Sequence, residues 1–191
     1  MKTVFVDIDS QLDFLYPAGA LYVPGAERVL PAISTLNRFA AARGIPLVST
    51  TDAHAENDIE FTQWPPHCVA GTWGQRKAEA TLVDRRVVIP NRDCQIELAP
   101  QIVVEKQTVD VFQARNLSRV IEALQPEAFV VYGVVTEICV LYAARGLLRF
   151  GKPVTIVTDA IKELTETGGR DALDEVCAQG AVLKTVSELI A

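Results

Sequence analysis

Apolar runs of strand length alternate with segments of helical period along most of this chain. Residues 3–8 form a continuous β-prone run, and a loop bearing Pro17, Gly19, Pro24 and Gly25 follows. Val29, Leu30, Ile33, Leu36 and Ala40 then fall on one helical face, and Gly44 supplies a stop. Further strands are expected over residues 45–51, 102–105, 128–134 and 154–158. Thr136 is placed to cap a helix whose apolar positions are Val140, Ala143, Ala144, Leu147 and Leu148, with Gly151-Lys152-Pro153 ending it. A last helix near residues 170–179 and a short strand near 181–183 finish the pattern.

Strands that read as unbroken apolar runs are buried on both faces, and helices between them imply parallel crossovers. The expectation is one domain over residues 1–191, of the α/β class: three layers, α/β/α, around a doubly wound, mainly parallel sheet. Residues 55–100 break the alternation. They carry Trp64-Pro65-Pro66, Gly71, Trp73-Gly74 and a possible small hairpin over residues 87–90. Long irregular insertions of this kind are usually binding loops.

Composition narrows the function classes. Hydrophobic residues make up 49% of the chain and charged ones 22%, which excludes global disorder. A net charge of −6 argues against a nucleic-acid surface, which needs a basic stripe. No run approaches the ~20 apolar residues of a membrane span, and a soluble cytoplasmic protein is expected. Cys68, Cys94, Cys139 and Cys177 are widely spaced with no CxxC pair, so each thiol is judged by its context.

In open α/β sheets ligands bind outside the carboxyl ends of the strands. Asp9 and Asp13 follow the first strand, Asp52 and His54 the second, Lys106 the third and Cys139 the fourth. A base, a cation and a thiol on one rim suit acyl transfer. Each alone has a plainer reading: Cys139 as a small core residue, Asp9 and Lys106 as charges ending strands. In the first turn of a capped helix, Cys139 would be favoured as thiolate. Asp52, His54, Glu60 and His67 form a second cluster, able to make an O/N metal site or to be ordinary loop polarity. Both histidines of the chain lie in it.

At these residues the sequence resembles the isochorismatase-like cysteine hydrolases, and within them the nicotinamidases. Asp9-Ser10-Gln11-Leu12-Asp13-Phe14 resembles the family's D-x-Q-x-D-F, and Gly133-Val134-Val135-Thr136-Glu137-Ile138-Cys139-Val140 resembles G-V-x-T-[DE]-x-C-V. The resemblance implies Asp9, Lys106 and Cys139 as the catalytic triad, backbone N–H groups of Val135 and Cys139 as the oxyanion hole, and a cis peptide before Val135. Phe14 and Trp64 become candidates to sandwich a substrate ring. Asp52, His54 and Trp64-Pro65-Pro66-His67-Cys68-Val69 resemble the nicotinamidase metal loop, with Glu60 where that branch has a histidine. The implied cofactor is one divalent ion, zinc, manganese or iron. The implied reaction is hydrolysis of a small amide, nicotinamide first, with ureido, biuret or maleamate-type amides as alternatives, in a possible homo-oligomer. Two other classes share part of the pattern. Asp7-Ile8-Asp9 also resembles the D-x-D of haloacid-dehalogenase-like phosphatases, with Asp159 as its later acid, and a catalytically silent binding protein would keep the fold alone.

Overall fold

The computed structural model describes residues 2–191. At its centre is a seven-stranded sheet with every neighbouring pair parallel. The strands are β1 (Thr3–Ile8), β2 (Leu47–Asp52), β3 (Arg86–Ile89), β4 (Gln101–Lys106), β5 (Ala128–Val134), β6 (Val154–Lys162) and β7 (Val182–Lys184). Their spatial order is β3-β4-β2-β1-β5-β6-β7. Every residue of β2 and β5 is buried, the polar Ser49, Thr50, Thr51 and Asp52 of β2 included. No helix among the described residues is long and apolar enough to cross a membrane.

Among the described residues six α-helices surround the sheet: α1 (Leu12–Leu15), α2 (Leu30–Arg43), α3 (Leu117–Leu124), α4 (Leu141–Leu148), α5 (Glu166–Ala178) and α6 (Val186–Ile190). From β1 the chain crosses towards one edge of the sheet, and from β5 towards the other. Right-handed crossovers in opposite directions place α2 on one face and α3, α4 and α5 on the other. Contacts of α2 with α6 and of α4 with α5 follow that division. The sheet is doubly wound, as the alternation of runs predicts, and β1 and β5 flank its switch point. Gly44 ends α2 in the left-handed conformation at φ 66°, so the stop falls where the sequence puts it.

Several elements differ from the expectation. Residues 87–90 do not form a hairpin; β3 is an edge strand running parallel to β4. A short apolar run shows that it is extended, but not which strand it will pair with. β6 runs on past Thr158 to Lys162, with a register shift against β5 between Val131 and Gly133. α5 begins at Glu166, where Thr165 accepts a hydrogen bond from Gly168 N at 3.0 Å. α3, with Leu117, Val120, Ile121 and Leu124 buried at helical spacing, and the short α6 were not anticipated.

The largest local correction is at Thr136. It caps no helix: residues Thr136–Val140 form a π-helical turn leading into α4, and the buried Thr136 hydroxyl has no hydrogen-bond partner. The turn follows a cis peptide between Val134 and Val135. Just before it, Gly133 sits at φ 122°, and a Cβ there would lie 2.0 Å from Ile8 O. Only glycine lets β5 pass β1 this closely at the switch point.

Candidate active site

The sheet opens at one place on its carboxyl edge. β1 and β5 pair as far as Ile8↔Gly133, but β1 and β2 pair only to Asp7↔Ser49. Asp9 turns out of β1 at φ 47°. Beyond it the Gln11 side chain takes the place of a strand: Nε2 donates to Asp52 O at 2.9 Å, and Oε1 accepts from Asp52 N at 2.7 Å. The gap held open in this way contains the candidate residues.

Asp9 and Lys106 are wholly buried, and Cys139 is 7% exposed. Lys106 Nζ lies 2.9 Å from Asp9 Oδ2, 2.5 Å from Asp52 Oδ1 and 3.9 Å from Cys139 Sγ. The Lys106 ammonium thus links the Asp9 carboxylate to the Cys139 sulfur. Burial pushes the Asp9 carboxyl up, but Lys106 and the Thr50 hydroxyl together outweigh it and hold Asp9 below the usual carboxylate range. Burial works against the Lys106 ammonium, yet Asp52 and Asp9 keep it firmly charged. The structure therefore brings Asp9, Lys106 and Cys139 together.

The expected resting thiolate is not supported. Burial drives the Cys139 thiol well above its ordinary value, and Asp9 and Asp52 add to it against the opposing pull of Lys106. The helix end invoked to lower it is replaced by the π-turn, and desolvation outweighs one nearby cation. Both shifts favour the charge on Asp9 and the proton on sulfur.

Asp52, His54 and His67 offer ligand atoms that all lie within 4.8 Å of one another. His54 Nδ1 is 3.0 Å from Asp58 Oδ2, and its Nε2 is buried with no hydrogen-bond partner. His67 Nδ1 donates to Pro65 O at 2.8 Å, which leaves Nε2 as the lone-pair nitrogen. Burial lowers the His67 pKa and keeps the ring neutral, as a ligand must be. Glu60 Oε1 stands 3.8 Å from both Nε2 atoms. An orphaned imidazole nitrogen facing two carboxylates and a second free nitrogen fits a divalent cation.

Between the two clusters lies a cavity of about 540 Å³, counted out to its mouth. Cys139, Asp52, Glu60 and His67 reach it from the polar side; Phe14, Trp64, Val109, Ile138 and Leu164 form apolar walls. Phe14 also leans on the His67 ring at 5.5 Å between centroids, so it serves packing and cavity at once. Leu21, Tyr22 and Val23 complete one wall and were not singled out from the sequence. Their loop is held by Asp13, whose carboxylate accepts from Ala20 N at 2.8 Å and from Cys68 N at 2.6 Å. The same D-x-Q-x-D-F segment that marks Asp9 therefore marks Gln11 and Asp13 as its supports. The phosphatase-like reading fails here. Asp7 is paired with Lys77 at 3.3 Å, and Asp159 is an exposed residue accepting from Val186 N.

Comparison with known proteins agrees with this geometry. The family model described as the Isochorismatase domain matches residues 3–188. The nicotinamidase of Saccharomyces cerevisiae is 23% identical over 197 aligned residues, covering 87% of this chain and 90% of that protein. The pyrazinamidase of Pyrococcus horikoshii, solved in complex with zinc, superposes with a TM-score of 0.81 at 25% identity, covering 97% of this chain and 99% of that one. The N-carbamoylsarcosine amidase of Thermoplasma acidophilum has the same fold, with a TM-score of 0.79 at 24% identity and 97% coverage of each chain. With a family model matched along nearly its whole length, this chain belongs to the isochorismatase domain family of hydrolases.

Proposed function

We propose that this chain is a cysteine amidohydrolase that cleaves a small uncharged amide, nicotinamide foremost, to the carboxylate and ammonia through a thioester on Cys139. The observation that carries the reading is a single thiol lining an apolar cavity, against a buried ammonium that is paired with a buried carboxylate.

The lining of the cavity selects among amides. Its ionisable groups are Asp52, Glu60, His67, Tyr22 and Cys139, and no arginine or lysine lines it. Lys106 is already paired with both Asp9 and Asp52. A ureido acid or maleamate would bring a carboxylate beside Asp52 and Glu60 with no arginine or lysine in the lining to pair with it, and burying charge without a side-chain partner is costly. An uncharged aromatic amide fits between Phe14, Trp64 and Ile138.

Substrate binding places the amide carbon at Cys139 Sγ. Asp9 accepts the thiol proton as the S–C bond forms, and the carbonyl π pair moves onto oxygen. Because the thiol is held high and Asp9 low, proton transfer and bond formation are coupled, with no thiolate stored beforehand. Lys106, 3.9 Å from the sulfur, offsets the charge passing between the two. Backbone N–H groups of Val135 and Cys139 receive the oxyanion. Those of Ile138 and Val140 are already taken by Val135 O, at 3.1 and 3.0 Å. On collapse the C–N bond breaks, Asp9 returns its proton to nitrogen and ammonia leaves. Water then loses a proton to Asp9 and attacks the thioester. The C–S bond breaks, Cys139 regains its proton from Asp9, and the acid product ionises.

Asp52, His54, Glu60 and His67 would hold a divalent ion beside this site. Such an ion supplies Lewis acidity to anchor a ring nitrogen or its water. A carboxylate in place of an imidazole hardens the donor set, which favours manganese or iron relative to zinc.

Ammonia release from a panel of amides tests the reading. Nicotinamide and pyrazinamide are expected to be cleaved, and maleamate and N-carbamoyl amino acids refused. The opposite order overturns the substrate assignment while leaving the triad to be tested on the cleaved amide.

A further inference from the structure

We infer that Thr50 is the positioning residue of Asp9, and that Lys77, paired with Asp7 on the side away from the cavity, holds Thr50 in place. This rests on Asp9 being the base. Thr50 is fully buried in β2, where β1 has already turned away. Its hydroxyl donates to Asp9 Oδ1 at 2.6 Å and accepts from Asp9 N at 3.2 Å. One side chain thus fixes both the carboxylate and the backbone of a residue in the left-handed region at φ 47°, sparsely populated for a non-glycine. With Oδ1 on Thr50 and Oδ2 facing Lys106, the carboxylate cannot rotate away from the Cys139 thiol without breaking a contact.

Thr50 is itself held from behind. Its carbonyl loses the partner that a continuing β1 would give it, and Lys77 Nζ donates to it at 3.1 Å. Lys77 is 3.3 Å from Asp7 Oδ2, which also accepts from Ser10 Oγ at 3.1 Å, Asn37 Nδ2 at 3.1 Å and Ser49 Oγ at 3.3 Å. None of these residues lines the cavity. Lys77 arrives on the irregular insertion, through an antiparallel bridge to Gln11 and a bond from Ala78 N to Ser10 O at 2.9 Å. A buried ion pair contributes little net stability, since desolvation consumes most of the Coulombic gain. The pair fixes geometry: the insertion that walls the cavity also locks the strand end carrying the Asp9 contact.

The test uses the full chain with Thr50→Val, Thr50→Ser, the double variant Asp7→Asn/Lys77→Met and the reference Asp9→Asn. Thr50→Ser keeps the hydroxyl and controls for folding. The double variant removes both charges together, so neither stays buried alone. On nicotinamide, Thr50→Val is expected to lower kcat about 10- to 100-fold, the worth of one hydrogen bond to a charged group, with KM changed less than about twofold. Thr50→Ser should recover most of kcat, and the double variant should lose about 3- to 10-fold in kcat alone. A crystal structure of Thr50→Val, which needs no substrate, should show the Asp9 carboxylate turned from Lys106 and Cys139. Wild-type kcat in Thr50→Val, a loss that serine does not rescue, or an unmoved Asp9 overturns the inference. If Asp9→Asn is dead while Thr50→Val is fully active, only this inference falls. If Asp9→Asn is fully active, the base assignment falls and takes the inference with it.

Discussion

Lys106 and Asp52 face each other in register at the ends of β4 and β2, with Nζ and Oδ1 2.5 Å apart. This contact joins the cysteine cluster to the histidine cluster, because the same ammonium also reaches Asp9. Lys106→Met would leave two buried carboxylates facing each other without a cation. Breaking such a pair from one side costs about 3–5 kcal/mol, so urea unfolding of the variant should show a loss of that order. A change below about 1 kcal/mol would mean that water screens the site, as it does for exposed pairs.

The upward push on the Cys139 thiol has a kinetic signature. In the metal-free protein, alkylation of Cys139 by iodoacetamide should climb about tenfold per pH unit from neutral into the alkaline range, because thiolate is scarce below an elevated pKa. Peptide mapping reads the rate at Cys139 separately from the rates at Cys94 and Cys177. A rate that has levelled off by neutral pH would instead reveal a thiolate stored in the resting enzyme.

The depressed Asp9 carboxyl couples stability to acid. Its folded value lies below the unfolded one, so its contribution is fully present above the unfolded value and disappears as pH falls through the folded one. The stability difference between wild type and Asp9→Asn should therefore stay level from pH 8 to 5 and narrow only below about pH 4. Denaturant midpoints across pH measure it. Narrowing near neutrality would show that burial outweighs Lys106 and Thr50.

Much of this was legible in the sequence. Residues 3–8 and 128–134 form β1 and β5 with the expected bounds, because a strand buried on both faces leaves an unbroken apolar run. Asp9, Lys106 and Cys139 converge because strand ends in a parallel sheet share one rim. The burial that pushes the Cys139 thiol upward was not legible, since it depends on how β1, β4 and the π-turn close around it. Thr50 gave no signal: a threonine within a β-prone run reads as sheet former until a neighbouring strand is seen to depart. Glu60 was visible as an oxygen donor following Asp52 and His54, but its place between the two imidazoles depends on the short turn at Asp58, which accepts from Glu60 N at 3.0 Å.

Metal binding can be read without turnover. Titration of the chelator-treated protein with manganese, iron and zinc should show one site, lost in His54→Ala and weakened in Glu60→Gln. Glu60→His should tighten zinc relative to manganese, as a softer nitrogen replaces an oxygen. In kinetics His54→Ala should raise KM for a pyridine amide more than it lowers kcat, since the site anchors substrate and does not activate the thiol. No binding by any of the three ions, with activity indifferent to chelator, would remove the metal from this account.

The central claim is that Cys139 is the nucleophile of an amidase, and ammonia release from nicotinamide by wild type and Cys139→Ala, purified in parallel, tests it most directly. The buried thiol lining the cavity predicts steady release by wild type and none above background by Cys139→Ala, whose circular dichroism should match that of wild type. Sustained release by Cys139→Ala would contradict the claim, and would place the chemistry on a group other than this sulfur.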